Sequence, residues 1–207
     1  MLGANIEAPC VNRSDYLTNI CGTSIFVGFV HLKSLEQKIG EKIPEERHRN
    51  GPFVSLENFI ERMPLGLEQV NILIKSGAFR FTGVSKRALM WEARMIFNRK
   101  KEFRHCKSMF ASPLKKFSIP QLEPHPFEDA FDEMELLGFP LCNPFALLDT
   151  RDPGNAIARE LKEKNGKHVD IAGYLVTTKD TSTKDRRLMQ FGTFLDREGQ
   201  FFVTTHF

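Results

Sequence analysis

The chain has 207 residues, of which 41% are hydrophobic and 27% charged, and its formal net charge is +3. This composition is typical of a globular protein and excludes an intrinsically disordered chain, while four cysteines without a CxxC pair argue against a zinc site or a disulfide framework. No run of about 18 apolar residues is present to span a membrane, and the N-terminus does not resemble a signal peptide, so we expect a cytoplasmic protein.

The charge is unevenly distributed along the chain. Residues 51–117 carry thirteen basic and five acidic side chains, whereas residues 118–150 carry seven acids and no lysine or arginine. A basic segment of this kind is typical of a phosphate-binding surface, although runs of charge are also common on solvated helix faces. We interpret the acidic segment as a solubilising connector that avoids the basic surface.

The first fifty residues contain few regular patterns. Residues 1–20 read as irregular, and the β-branched and aromatic run 23–30 predicts a short strand. The spacing of Leu32, Leu35 and Ile39 predicts a helix that ends at Gly40 and Pro44, followed by a second short turn that closes at residues 48–51.

Residues 55–104 predict helices joined by tight glycine turns. Ser55 is a good N-cap for a helix over residues 56–63, and a second helix over residues 67–75 has Gly77 just after its end. Ser85 caps a long helix that ends near residue 104.

The remaining third changes from proline-rich to strand-like. Four prolines mark residues 105–126 as a linker, and acids in its first turn and Gly138 after its end predict a short helix over residues 127–137. Asp152-Pro153 predicts the start of another helix, which stops at residues 165–166. Alternating patterns then predict three strands, at residues 168–178, 188–195 and 201–207.

Three segments resemble one known family. Residues 51–89 are similar to the helix-hairpin-helix region of the bacterial family C replicative DNA polymerase, the alpha subunit of DNA polymerase III. Residues 135–144 (ELLGFPLCNP) resemble a short motif that precedes the OB-fold in that family, with Asn143 where the family usually has histidine. Residues 168–207 resemble the opening strands of the OB domain. The elements that carry the first similarity are Phe53, Phe59, Arg62, Leu73-Ile74, Gly77-Ala78-Phe79, Gly83 and Arg87.

The resemblance implies an α+β protein, with a mostly helical helix-hairpin-helix region followed by an incomplete OB-fold β-barrel. We divide the chain accordingly into four parts. These are the end of a polymerase core with a first, degenerate hairpin (1–50), a helix-hairpin-helix domain (51–104), a proline-rich and acidic linker with one short helix (105–150) and a truncated OB-fold (151–207).

The family synthesises DNA on a template with magnesium ions held by palm aspartates, and no matching acidic pair occurs in this sequence. We therefore expect a non-catalytic DNA-binding portion of such a polymerase, with no catalytic residue, metal or cofactor of its own. The alternatives are a structural or protein-interaction module with degenerate hairpins, the accessory region of an error-prone paralogue, and an OB protein that binds single strands or RNA.

Duplex contacts are expected at two hairpins. The first matches residues 32–36, where both family glycines are missing and Glu36 would repel a phosphate, so Lys33 is as easily a solvated residue as a contact. The second keeps its glycine among four basic side chains, although a glycine at a helix end is also common without any ligand. The predicted contacts of this second hairpin are Lys75, Gly77, Arg80, Lys86 and Arg87.

Two further sites follow from the resemblance. Met109 and Phe110 stand where the family binds its sliding clamp, but the glutamine of that motif is missing, which predicts weak or lost clamp binding. In the OB-like strands, aromatic platforms and a basic loop are the candidates for contact with single-stranded DNA, although most of the 19 phenylalanines are expected to lie in the core. Other replisome subunits are further expected partners, and no membrane is expected. The predicted OB contacts are Lys179, Lys184, Arg186, Arg187, Phe191 and Phe202.

Overall fold

The computed structural model describes residues 5–105, 125–148, 154–182 and 188–206. The chain divides into two compact units between Leu141 and Cys142. Each unit contains one three-stranded sheet, and neither sheet closes into a barrel. The predicted α+β class, with a helical first part, is confirmed.

In its described residues, the first unit combines five α-helices with one small sheet. Strand β3 pairs parallel with β1 and antiparallel with β2. Part of the stretch predicted to be irregular therefore forms strands, and the strand predicted over residues 23–30 is only three residues long. The elements are β1 (Asn5–Glu7), β2 (Asn19–Cys21), β3 (Ser24–Phe26), α1 (Gln37–Asn50), α2 (Leu56–Arg62), α3 (Leu67–Lys75), α4 (Lys86–His105) and α5 (Glu128–Leu136).

Helix α1 corrects the prediction of two short elements around Gly40 and Pro44. Both residues lie inside one continuous helix and both are buried. A side chain at Gly40 would bring its Cβ within 3.1 Å of the Tyr16 ring and 3.2 Å of Phe29 Cβ, so glycine here permits close packing and does not end the helix. Leu32 and Leu35 precede α1 in a hairpin loop, although their spacing predicted a helix.

The predicted starts and ends of α2, α3 and α4 are confirmed within one or two residues. Ser55 Oγ accepts a hydrogen bond from Asn58 N at 3.1 Å, and Ser85 Oγ accepts one from Ala88 N at 3.3 Å, as N-cap residues do. Gly77 follows α3 with a φ of 78°, the left-handed conformation that glycine adopts without strain.

Three phenylalanines form the centre of this unit's core. The rings of Phe53 and Phe79 both meet the ring of Phe59 edge to face, with centroids 4.8 and 5.0 Å away. All three are almost completely buried. Because Phe79 immediately precedes Arg80, this core fixes the position of the second hairpin.

Arg62 joins the end of α1 to α2. Its guanidinium lies 4.3 Å from the centroid of the Phe53 ring and 3.0 Å from Glu46 Oε1. It also donates to the backbone carbonyls of Glu46 (3.1 Å), Gly51 (2.9 Å) and Pro52 (3.3 Å). The hydrogen bonds from Asn50 and Arg62 lower the pKa of the Glu46 carboxyl.

Replacing Arg62 with alanine is expected to lower the free energy of unfolding by about 1–3 kcal/mol, because backbone carbonyls at the end of α1 lose their donor. Arg62→Lys keeps the positive charge but lacks the planar guanidinium fork, so we expect an intermediate decrease in the free energy of unfolding. Urea unfolding, followed by the fluorescence of the single tryptophan, Trp91, measures the change. Arg49→Ala, at an exposed position of α1, is the control; an equal effect there contradicts this role of Arg62.

The second unit contains β4 (Tyr174–Ser182), β5 (Leu188–Leu195) and β6 (Phe201–His206), paired antiparallel in the order β4-β5-β6. The three predicted strands are present, with β4 starting six residues later than expected. The helix predicted up to residues 165–166 is wrong, since only a short 3₁₀ turn forms at Ala158–Glu160. The N–H groups of Asn155 and Ala156 both donate to the carbonyl of Asp170, which holds this segment extended.

Asp196 organises the turn between β5 and β6. Its Oδ1 accepts from Glu198 N at 2.9 Å and Gln200 N at 2.7 Å, and its Oδ2 accepts from Ala158 N at 2.8 Å. Burial acts to raise the pKa of this carboxyl, but the three backbone donors outweigh it, so the pKa is lowered.

The lowered pKa predicts an acid-sensitive second unit. Asp196 contributes stability at pH values above the ordinary aspartate pKa of about 4, and this contribution is lost as the pH falls through its lower folded value. Asp196→Asn is therefore expected to lower the melting temperature at pH 7 and to flatten its decline at acidic pH. Thermal unfolding followed by circular dichroism tests this, with Asp180→Asn on exposed strand β4 as the control. Identical pH profiles for the two variants contradict the assignment.

Within the part of the chain that the structure describes, no helix has the length and apolar character needed to cross a membrane.

Candidate nucleic-acid interface

The second hairpin brings the predicted basic residues together. The Ala78 amide donates to the Leu73 carbonyl at 3.0 Å, which closes the end of α3. The Arg80 guanidinium then packs against Gly77, where an added Cβ would lie 2.7 Å from Arg80 Cζ. Lys86 and Arg87 follow in the first turn of α4. We call the surface formed by Lys75, Arg80, Lys86 and Arg87 the basic surface.

Helix α5 lies against this basic surface. Each of the four cations of the basic surface pairs with at least one carboxylate of α5. The pair between Lys86 and Asp132 is largely buried, whereas Asp129 and Glu135 are mostly exposed. The N–O distances are 3.1 Å for Lys75–Glu135, 3.6 Å for Arg80–Asp129, 3.5 Å for Arg80–Glu133, 2.6 Å for Lys86–Asp129, 2.7 Å for Lys86–Asp132 and 3.0 Å for Arg87–Glu128.

This contact corrects our interpretation of the acidic segment as a connector that avoids the basic surface. The end of α5 also joins the core of the first unit, because Leu136 and Leu137 are buried there. The buried Glu133 carboxylate accepts a hydrogen bond from Leu141 N at 2.7 Å, and Lys33 N donates to the Leu136 carbonyl at 2.8 Å. The basic and acidic segments are separate in the sequence, and the fold brings α5 into contact with the basic surface.

The ion pairs differ in strength along α5. Pairs between half-exposed side chains contribute about 0–1 kcal/mol each, so the Lys86 pairs are expected to dominate. Burial acts to raise the pKa of Asp129, but the hydrogen bond and charge of Lys86 and the charge of Arg80 outweigh it, and the pKa is lowered. The contribution of Asp129 is therefore present above the ordinary aspartate pKa and is lost as the pH falls below it.

The first hairpin forms a turn although it lacks both glycines of the family motif. Ser34, in place of the first family glycine, has a φ of 65°, the only positive φ of a non-glycine residue within the described parts of the chain. The Glu36 backbone N–H donates to Gln69 Oε1 on α3 at 2.9 Å, and Gln69 Nε2 donates to the Ser34 carbonyl at 3.1 Å. With the Lys33 amide bonded to α5 as well, two backbone donors of this hairpin are already engaged inside the protein.

In the second unit, the two predicted aromatic platforms lie on opposite faces of the sheet. Phe202 is only 8% exposed and stacks on Phe194, with centroids 5.4 Å apart, so this ring belongs to the core. Phe191 is half-buried and lies directly opposite the exposed Lys179 across β4 and β5. On the same face as Phe191, Phe201 is 66% exposed. Of the predicted rings, only Phe191 faces a side of the sheet with exposed aromatic surface.

Five predicted contact residues lie outside the described residues. They are Met109, Phe110, Lys184, Arg186 and Arg187.

Three features of the interface were missed by sequence reasoning. The carboxylates of α5 were noticed but assigned to a connector, and Ser34 carries no pattern that predicts a left-handed residue. On α4, Trp91 is half exposed one turn beyond Arg87, and Arg94 is exposed one turn further. Arg87, Trp91 and Arg94 are four and three residues apart, a spacing that places them on one face of a helix, so the sequence does indicate this shared face.

Comparison with known proteins agrees with this geometry. A helix-hairpin-helix motif matches residues 3–89, which include both hairpins. The DNA polymerase III alpha subunit of Treponema pallidum is 26% identical over 216 aligned positions, covering 96% of this chain.

The chain is thus similar in sequence to a DNA polymerase III alpha subunit over nearly its whole length.

Other relatives are more similar over a shorter stretch of the chain. The alpha subunit of Thermus aquaticus is 34% identical over 91 residues, or 42% of this chain, and the error-prone DNA polymerase of Mycobacterium bovis is 34% identical over 93 residues, or 44%. The chain spans 18% of the length of the Treponema relative and 8% of the other two. The similarity read from residues 51–89 is thereby confirmed.

Proposed function

We propose that this chain is a cytoplasmic DNA-binding region of a DNA polymerase of the alpha-subunit type, and that its helical unit grips duplex DNA without reading sequence. The observation that carries the proposal is the basic surface, formed where the second hairpin of a helix-hairpin-helix motif meets the first turn of α4. A helix N-terminus offers backbone N–H groups to a phosphate, and the adjoining lysines and arginines neutralise its charge. The surface needs no cofactor for this.

Lys86→Gln combined with Arg87→Gln is expected to weaken duplex binding equally for all sequences and to reduce the slope of log K against log salt by about 2, since each lost phosphate contact removes about 0.9. Fluorescence anisotropy with labelled duplexes of two unrelated sequences, over a range of salt concentrations, measures this slope.

The matched control is Lys38→Gln combined with Lys42→Gln, which removes the same charge from exposed positions of α1. A slope that changes equally in both double variants places the duplex elsewhere and contradicts the proposed contact.

The second unit is proposed to add contacts to single-stranded DNA in the manner of an OB-fold. The support is the sheet face that carries Phe191, Phe201 and Lys179, because bases stack on aromatic rings while lysine neutralises the backbone. Sliding clamp and replisome subunits remain proposed partners of the complete polymerase, with Met109 and Phe110 as the proposed, weak clamp contact.

Template-directed synthesis is proposed for the complete polymerase and not for this chain by itself. Primer extension with this chain, magnesium and nucleotides is expected to stay at the level of a reaction without protein, because the sequence contains no acidic pair that matches the family's palm aspartates. Incorporation above that level contradicts the assignment of the chain as non-catalytic.

A second candidate function is a protein-interaction module, and the pairing of the basic surface with α5 favours it. Under this alternative the cations serve to dock α5, and duplex DNA is not bound at low salt by the wild-type chain or by variants that lack the α5 carboxylates.

A further inference from the structure

Helix α5 turns its charged face toward the protein and its apolar face toward solvent. Its acidic side chains face the basic surface, while Phe127, Phe131 and Met134 lie on the opposite face and are substantially exposed. In the first two turns of α5, the small side chain of Ala130 is the only buried apolar group, so apolar burial contributes little there and the ion pairs hold these turns instead. The buried Leu136 and Leu137 anchor only the end of the helix.

The linear charge density of α5 is similar to that of DNA. Five carboxylates lie between Glu128 and Glu135, along about 10 Å of helix axis, which is one negative charge per ~2 Å. Duplex DNA carries one per ~1.7 Å. The cations of the basic surface thus meet, within the protein, a row of negative charges as dense as the one that duplex DNA would present.

We propose that α5 is an internal competitor of duplex DNA: the polyanion site formed by the basic surface is occupied by α5, and DNA binds when the first two turns of α5 leave it. The inference rests on the proposed function of the basic surface. The same cations cannot pair with α5 and with phosphates at once, so the apparent affinity for DNA is reduced by the fraction of molecules in which the surface is free.

Asp129→Asn combined with Asp132→Asn removes the three ion pairs that Asp129 and Asp132 make with the basic surface and keeps the side-chain size. If about one molecule in ten of the wild-type chain has a free surface, this double variant binds duplex DNA about tenfold more tightly at low salt. The control, Glu45→Gln with Glu61→Gln, removes two exposed carboxylates from α1 and α2. An equal gain in both variants reflects general charge alone and overturns the inference.

Hydrogen exchange of the wild-type chain provides the second measurement, which needs no variant to fold. With saturating duplex, the amides of Glu128–Leu136 are expected to exchange at least severalfold faster, while those of Leu67–Lys75 keep their protection. Unchanged protection of α5 in the DNA complex overturns the competition, although DNA binding itself then stands. Absence of duplex binding by the wild-type chain and by both double variants overturns the proposed function together with this inference.

Discussion

In the first unit, the Arg62 side chain joins α1, α2 and the loop between them through hydrogen bonds to Glu46, Gly51, Pro52 and Asn58. Helix α1 ends at Asn50, and its last carbonyls need donors that the helix itself does not supply. From α2, Arg62 donates to the Gly51 carbonyl at this end and to the Glu46 carbonyl in the last turn, and its guanidinium lies over the Phe53 ring at the same time. A lysine provides neither the planar stack nor several donors in fixed directions. One side chain therefore sets the angle between α1 and α2 and closes one side of the aromatic core.

The position of the basic surface is determined by its connection to that core. Phe53 packs on Phe59, Phe59 packs on Phe79, and the next residue in the chain is Arg80. The second hairpin is thus connected to Arg62 through three rings in contact, each fixed by close packing. Gly77 completes the arrangement because its left-handed backbone turns the chain and its missing side chain leaves room for the Arg80 guanidinium. A rigid core is what allows a short turn to present cations in a defined position.

Local rules predicted the helices of the first unit well and its long-range features poorly. Ser55, Ser85 and Gly77 act within four residues, so their caps could be read from the sequence. Gly40 and Pro44 were misread as breaks, because the reason for a glycine in α1 is the Tyr16 ring, twenty-four residues away in sequence. The helix predicted to stop at residues 165–166 does not form, and here too a distant contact is involved, because the N–H groups of Asn155 and Ala156 donate to the Asp170 carbonyl.

The candidate site shows the same division between local and long-range information. The basic residues around the second hairpin could be found from composition and resemblance, whereas their partners on α5 lie 41 to 60 residues further along the chain. Phe202 was misassigned as a platform because alternation alone does not tell which face of an open sheet is covered. In this unit the Phe202 ring packs against Phe194 and over Gly173, and so the covered face is the one that carries it.

The charge distribution explains why whole-chain electrostatics is uninformative for this protein. A net charge of +3 results from a strongly basic segment followed by a strongly acidic one, and in the folded first unit α5 brings the second against the first. The cations of the basic surface are therefore paired with carboxylates of α5 in this fold. Phosphate groups that reach the surface must therefore compete with carboxylates held beside it at very high effective concentration. In the proposed competition, duplex DNA has the advantage that its charge continues beyond the length of α5, whereas the acidic stretch of α5 ends after two turns.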